Sequence, residues 1–558
     1  MRKINRLFVV LFSFMCFSCS AHKESILRLS CENSNFLLRA LNANAEKSEI
    51  ADTQKSPYLY YGFPEDFSPT DDTALQIQVL TLSQSDFDEK ETFYFGFLYK
   101  ENFKSKNKLN TTISPTNFAS GLYSKKCVLS LAVPKNKKPE GFFVYSSVPV
   151  RIEKAAFVES KTGWLLQGTP WFGFSEKGGS LKTLLSSFEL PRAAVKLSVH
   201  LNNAEKTSSR YSTLALNNDV VTIRHAPNQS VVTLYPSVFR SADDAAVFVK
   251  RAGEEDCVTG LICEKILPSD TSSPLVPIAT DPGMIENWPQ NLWRRNDFEV
   301  FSWEQFPSIL FFDTADYEIQ DRLFKRLAFY TEKAGYRGTL PADSVIENQH
   351  GYNAHDYRAE SLAGFFELAR KENFPLNDYE NLLCEILTGH GIIVKNADGS
   401  ITAGQGALVS ISRESTTYLR NKFIAHEGLH CLFFIDEDFR EKVREVYERT
   451  DERSLAFLLR YFTVTSDLNY DLRDTYLIQN EFMAYIMQQP LYEVGEYFTK
   501  ILATRKTINR TDPDKVEYIL ETNAEGFVAS AKILDEYINK RWGYNAGRVS
   551  LVTRKPAK

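Results

Sequence analysis

Two histidines and a glutamate lie inside an otherwise apolar run, Phe423-Ile424-Ala425-His426-Glu427-Gly428-Leu429-His430-Cys431-Leu432-Phe433-Phe434-Ile435. A helix that is apolar on nearly every face has to be buried, and ionisable groups buried with it are costly unless paired, hydrogen-bonded or bound to a metal. Any fold of this chain must therefore bring partners to these three side chains. Positions four apart sit one above the other on a helix, so His426 and His430 can offer ring nitrogens to one metal ion. Glu427, one step round, can reach a water on that ion and act as its general base. The competing assignment is a pair of core histidines satisfied by hydrogen bonds.

A chain of 558 residues with 43% hydrophobic content is long enough for two to four domains with their own cores. Its formal net charge of −6, with no long Lys/Arg run, argues against nucleic acid as a partner. Arg2, Lys3 and Arg6 precede the apolar run Leu7 to Met15, which is too short to span a bilayer and reads as an export signal. Ser18-Cys19-Ser20 follows, and a small residue directly before Cys19 resembles the lipobox of bacterial lipoproteins. That resemblance implies a signal peptide over 1–19, lipidation of Cys19 and anchoring to the membrane at the cell envelope or surface. Cleavage after Ala21 by the small-x-small rule is the alternative and would release a secreted protein. No later run is apolar and long enough for a membrane span.

Residues from about 25 to 285 read as β structure. Leu75 to Leu82, Thr92 to Tyr99, Cys127 to Val133, Phe142 to Tyr145, Ala194 to His200 and Val220 to Ile223 alternate or carry β-branched and aromatic residues. The expectation is two β-sandwich-like domains, 20–150 and 151–285. Trp164, Trp171 and Phe172 are either core aromatics or an exposed platform for a glycan or protein contact. His200 and His225 stand alone and read as structural. Export permits disulfides; Cys257 with Cys263 and Cys31 with Cys127 are the candidate pairs, while Cys384 and Cys431 read as core.

Five prolines between Pro268 and Pro289, among Ser, Thr and Asp, have the texture of a linker. Beyond it the period becomes helical, and residues 286–558 are expected to form one α-rich domain with a few strands. Ile309 to Phe312 and Ala407 to Ile411 read as strands, Tyr317 to Gly335 and Glu360 to Lys371 as helices, and Asn377 as the cap of a helix that stops near Gly389. Ser412 is the expected cap of the helix that carries His426 and His430.

A strand, an HExxH helix and a second helix with a glutamate, in that order, resemble the gluzincin branch of the zinc metallopeptidases. The resemblance covers roughly the last 260 residues. Asn480-Glu481-Phe482-Met483-Ala484 matches that family's NExxA pattern, which implies that Glu481 is the third ligand of one zinc ion per chain, beside His426 and His430. It further implies a zincin-like α+β domain whose edge strand pairs with extended substrate, the strand just ahead of the HExxH helix being expected there. A Tyr, His or Arg is expected to stabilise the oxyanion, with Tyr470 and Tyr476 as candidates. His350, His355 and His390 read as structural or cleft-lining. Asp436 is a rival third ligand, since metzincins place one six positions past the second histidine. That spacing needs a glycine to turn the chain, however, and Phe433 stands there, so Asp436 reads better as an N-cap.

The expected activity is zinc-dependent hydrolysis of a protein or peptide substrate, with Glu427 as general base. The alternative is a surface binding protein or adhesin in which the β domains do the work and the zinc site is structural or inactive.

Overall fold

Alternation along Thr73–Thr81 sets the plan of the N-terminal half: Leu75, Ile77 and Val79 are buried while Gln76 and Gln78 are half-exposed. The computed structural model describes residues 27–556 except 32–33, 71–72, 83–92, 106–107, 111–117, 121–125, 134–136, 160–161, 168–178, 181–194, 202–210, 217–218, 228, 236–245, 249–257, 266–274, 334, 350, 466–467, 469 and 471. Cys19, Cys257, Trp171, Phe172 and His350 fall outside the described residues, and Trp164 is placed only by its backbone, on Thr162–Gln167.

Thr73–Thr81 is a central strand of a ten-stranded sheet whose order runs from Ser34–Leu37 at one edge to Val231–Leu234 at the other. Val150–Glu159 pairs with Thr73–Thr81 over its whole length, so the boundary expected at residue 150 falls at the start of a strand inside this sheet. The sheet thus draws strands from both expected β domains. A five-stranded sheet packs on it through Leu59, Phe95, Phe97, Phe142 and Val144, which share one buried cluster with Leu75, Ile77, Val79 and Leu129.

The registers also dispose of one disulfide. Cys31 lies opposite Phe157, Phe157 opposite Leu75, and Leu75 opposite Leu131 on the strand that holds Cys127. Three strand spacings of about 4.8 Å each amount to ~14 Å, twice the Cα separation of about 7 Å at which a disulfide ceases to close.

The C-terminal half is α-rich around a five-stranded sheet. Its order is Ile278–Thr280, Phe298–Trp303, Phe306–Thr314, Ala407–Ser412, His355–Arg358. The stretch with linker texture is therefore partly built into the fold, because Ile278–Thr280 is a strand and Pro282 opens the helix Pro282–Asn287. Asp281 caps that helix and its carboxylate also accepts from the Leu551 and Val552 amides. Val552–Pro556 then pairs with Asp219–Arg224 in a further five-stranded sheet, which ties the C-terminal segment to a strand of the N-terminal half. Among the described residues, no helix is long and apolar enough to cross a membrane.

Several local expectations hold. Phe306–Thr314 and Ala407–Ser412 are strands, and Tyr317–Thr331, Ala359–Glu372 and Asp378–Gly389 are helices. Asn377 and Glu380 form a capping box at the last of these. Ser412 instead ends a strand, and the N-cap of the following helix is Thr416.

Candidate metal centre

The helix Thr417–Ile435, the motif helix, lies against Ala407–Ser412 and the edge strand His355–Arg358 of the C-terminal sheet. Ile424, Ala425, Leu429, Cys431, Leu432 and Phe433 are all buried, as an all-round apolar helix requires. Gly428 gives the closest contact: a Cβ there would stand 2.9 Å from Val549 Cγ2 and 3.5 Å from the Trp303 ring. Asp436 ends the helix. One of its oxygens accepts from the Phe439 amide at 2.8 Å, capping Glu437–Arg449, and the other pairs with Arg541 at 2.7 Å. Both oxygens are engaged away from the histidines, which removes the rival third ligand.

Glu481 reaches the histidines from a second helix, Thr475–Met487, capped by Asp474 and stopped ahead of Pro490. The Gly547 amide donates to Met487 O at 2.7 Å and clamps the end of that helix. A side chain at Gly547, where φ is +75°, would overlap the Gln489–Pro490 backbone. The two helices pack through buried Phe482, Met483, Ala484 and Ile486 on one side and Leu429, Leu432 and Phe433 on the other.

The Nε2 atoms of His426 and His430 face each other 3.1 Å apart, with ring planes at 85°. Glu481 Oε1 lies 3.8 Å from His430 Nε2. Among the described residues, His426, Glu427 and His430 offer ligand atoms within 4.8 Å of one another. Zinc–nitrogen bonds of about 2.0–2.1 Å would subtend about 100° across the two imidazoles. A second observation fits a cation. Glu481 Oε2 is buried without a hydrogen-bond partner, a condition rare in folded proteins unless an ion or water is bound. Two imidazoles with carboxylates beside them are residues that could hold a metal ion.

The surroundings are strongly acidic. Burial pushes the Glu427 carboxyl well up, reinforced by Asp356, which hydrogen-bonds to it. Burial raises Glu481 to about 7, against the pull of His430. Burial lowers His426 well below the usual imidazole range, helped by the His430 and Lys422 charges; for His430, Asp356 and Glu481 outweigh burial and hold it above that range. Glu332 ends the helix Tyr317–Thr331 and keeps contact with solvent, yet burial by the surrounding protein and the Asp356 and Glu481 charges push its carboxyl up.

The two tyrosine candidates separate cleanly. Tyr470 hydrogen-bonds to Glu481 and so belongs to the site. Tyr476 packs on Phe433 and lies under Arg358, with Arg440 and Glu360 as its charged neighbours. His355 is buried and bonded to the Tyr357 hydroxyl, His225 to Ser212, and His390 caps a helix end. Cys431 is a core residue and Cys384 is half-buried. Sequence reasoning missed Asp356, Glu332, Tyr352, Tyr485 and Gln488. Asp356 and Glu332 arrive from elements more than sixty residues upstream of the motif, and no local pattern marks them.

The strand ahead of the motif helix does not lie at the sheet edge. Ala407–Ser412 is paired on both sides, with Phe306–Thr314 in parallel and His355–Arg358 antiparallel. The sheet order ends instead at His355–Arg358, whose Asp356 side chain faces the site. Comparison with protein-family models, curated proteins and solved structures gives no match for this chain.

Proposed function

We propose that this protein is a zinc-dependent peptidase with a zincin-like C-terminal domain, exported and held at the membrane by a lipid on Cys19. The observation that carries the reading is the facing pair of His426 and His430 Nε2 atoms with Glu427 in the same group and Glu481, from a second helix, 3.8 Å from His430 Nε2. Two imidazoles and one carboxylate are the donor set of a catalytic zinc site, which keeps one position open.

A zinc ion bound there supplies acidity to a water and polarises the scissile carbonyl. The chain's own groups do the rest. Glu427 takes a proton from the attacking water and delivers it to the leaving amine as the C–N bond breaks. Tyr470, beside Glu481, is assigned to the developing oxyanion. The antiparallel edge at His355–Arg358 offers unpaired backbone groups to an extended peptide, as sheet edges do. The large β region then serves as an accessory module that contacts protein or glycan.

The test is Glu427→Gln, which leaves every ligand in place. Zinc content is expected to equal that of the wild type while cleavage of a peptide library falls by about 10²–10⁴-fold, the usual share of a general base. Cleavage at the wild-type rate would exclude the mechanism. Zinc bound at wild-type stoichiometry with no chelator-sensitive cleavage by the wild type would favour a binding protein with a structural ion.

A further inference from the structure

His426 has a second polar contact that the ligand geometry does not use. Its Nδ1 lies 3.1 Å from Gln488 Oε1, and Gln488 is 7% exposed. Gln488 follows the second helix directly, as its C-cap. The Tyr497 hydroxyl lies beside it, close enough for the Gln488 side chain to ease its ionisation against the effect of burial. Tyr497 opens a short π-helical segment, Tyr497–Leu502, and the Lys422 ammonium sits 4.1 Å from the centre of its ring. Lys422 stands one turn before His426 on the motif helix, so the contacts close a loop from one helix to the other and back.

An amide has one acceptor end and one donor end. With the donor end turned to Tyr497, the acceptor end faces His426, where only a protonated Nδ1 can use it. That fixes the proton on Nδ1 and leaves the Nε2 lone pair aimed at the point shared with His430. We propose that Gln488, oriented by Tyr497, is the positioning residue that selects the metal-binding tautomer of His426. This rests on the metal-centre reading. It adds that the second helix serves the site twice, through a ligand at Glu481 and through the orientation of a ligand from the other helix.

The partner is neutral, which makes the assignment separable from mere packing. Glu at 488 keeps an acceptor for Nδ1–H and adds a charge, whereas Leu fills similar space and accepts nothing. Groups that orient metal-bound histidines typically contribute 10–100-fold in affinity. The experiment is zinc affinity of the full-length protein, measured by competition with a chromophoric chelator. Wild type, Gln488→Leu, Gln488→Glu and Tyr497→Phe are compared, with His426→Ala as control and circular dichroism to check folding.

The expected result is a roughly 10–100-fold weaker zinc Kd for Gln488→Leu, recovery to wild type or better for Gln488→Glu, and a smaller loss for Tyr497→Phe. A Gln488→Leu protein that binds zinc as tightly as the wild type, or a Gln488→Glu protein as weak as the Leu variant, overturns the proposal. Should Gln488→Leu fail to fold, Tyr497→Phe decides: unchanged affinity there overturns the orienting role. A wild type that binds zinc no better than His426→Ala would sink the metal-centre reading itself, which is a different outcome from an unaffected Gln488 variant.

Discussion

Asp281 gives the most quantitative prediction, because its burial and its partners are both explicit. The residue is 4% exposed, and its carboxylate accepts from the Gly283, Leu551 and Val552 amides at 2.9, 2.8 and 3.1 Å. Burial nevertheless dominates and raises the carboxyl from 3.8 to about 7. The folded state therefore holds this proton more tightly than the unfolded state does. The stability contributed by the protonated carboxyl is complete below pH 3.8 and is lost progressively as pH rises through about 7. At about 1.4 kcal/mol per pH unit, the loss between pH 5 and pH 8 is roughly 2–3 kcal/mol.

Asp281→Asn removes the titration but turns an amino group toward the Leu551 amide, which sacrifices one hydrogen bond at about 1–3 kcal/mol at every pH. The asparagine variant should therefore be less stable than the wild type near pH 5 and should gain on it by roughly 2–3 kcal/mol by pH 8. Amide hydrogen exchange at Leu551 and Val552 reads the local opening, with intrinsic rates corrected for pH. A stability difference between the two proteins that stays flat from pH 5 to pH 8 would refute the reasoning. The consequence reaches the metal centre, since Val549 in the same C-terminal segment packs on Gly428 of the motif helix.

Further outcomes follow from the site. Tyr470→Phe should lower kcat by about 10²-fold with little change in KM, as the loss of one oxyanion donor does, while Tyr476→Phe should leave kcat near wild type; steady-state kinetics on one peptide decide between them, and equal losses would return Tyr476 to the site. Asp436→Ala should keep zinc at wild-type stoichiometry while thermal unfolding shows a loss of about 1 kcal/mol from the missing cap; loss of zinc would restore Asp436 as a ligand.

Much of the local structure was legible. Alternation marked Thr73–Thr81 and Asp219–Arg224, Asn377 as a cap marked a helix start, and the missing glycine at Phe433 demoted Asp436 to an N-cap. These depend on neighbours in sequence, where a two- or four-residue period carries the information. The errors share one cause. Residue 150 looked like a boundary, Ala407–Ser412 looked like an edge, and prolines near 280 looked like a linker, because strand partners are not encoded in the strand itself.

By itself the sequence determined that an apolar helix carries two imidazoles four residues apart and a carboxylate between them, and that such groups need compensation once buried. Tertiary structure decided what compensates them. It brought Glu481 and Gln488 from a helix some fifty residues further on, Asp356 from the end of a sheet, and Tyr470 rather than Tyr476. Side-chain spacing along one helix is fixed by 3.6 residues per turn, whereas the approach of two helices depends on how their buried faces interlock, and only the folded chain specifies that.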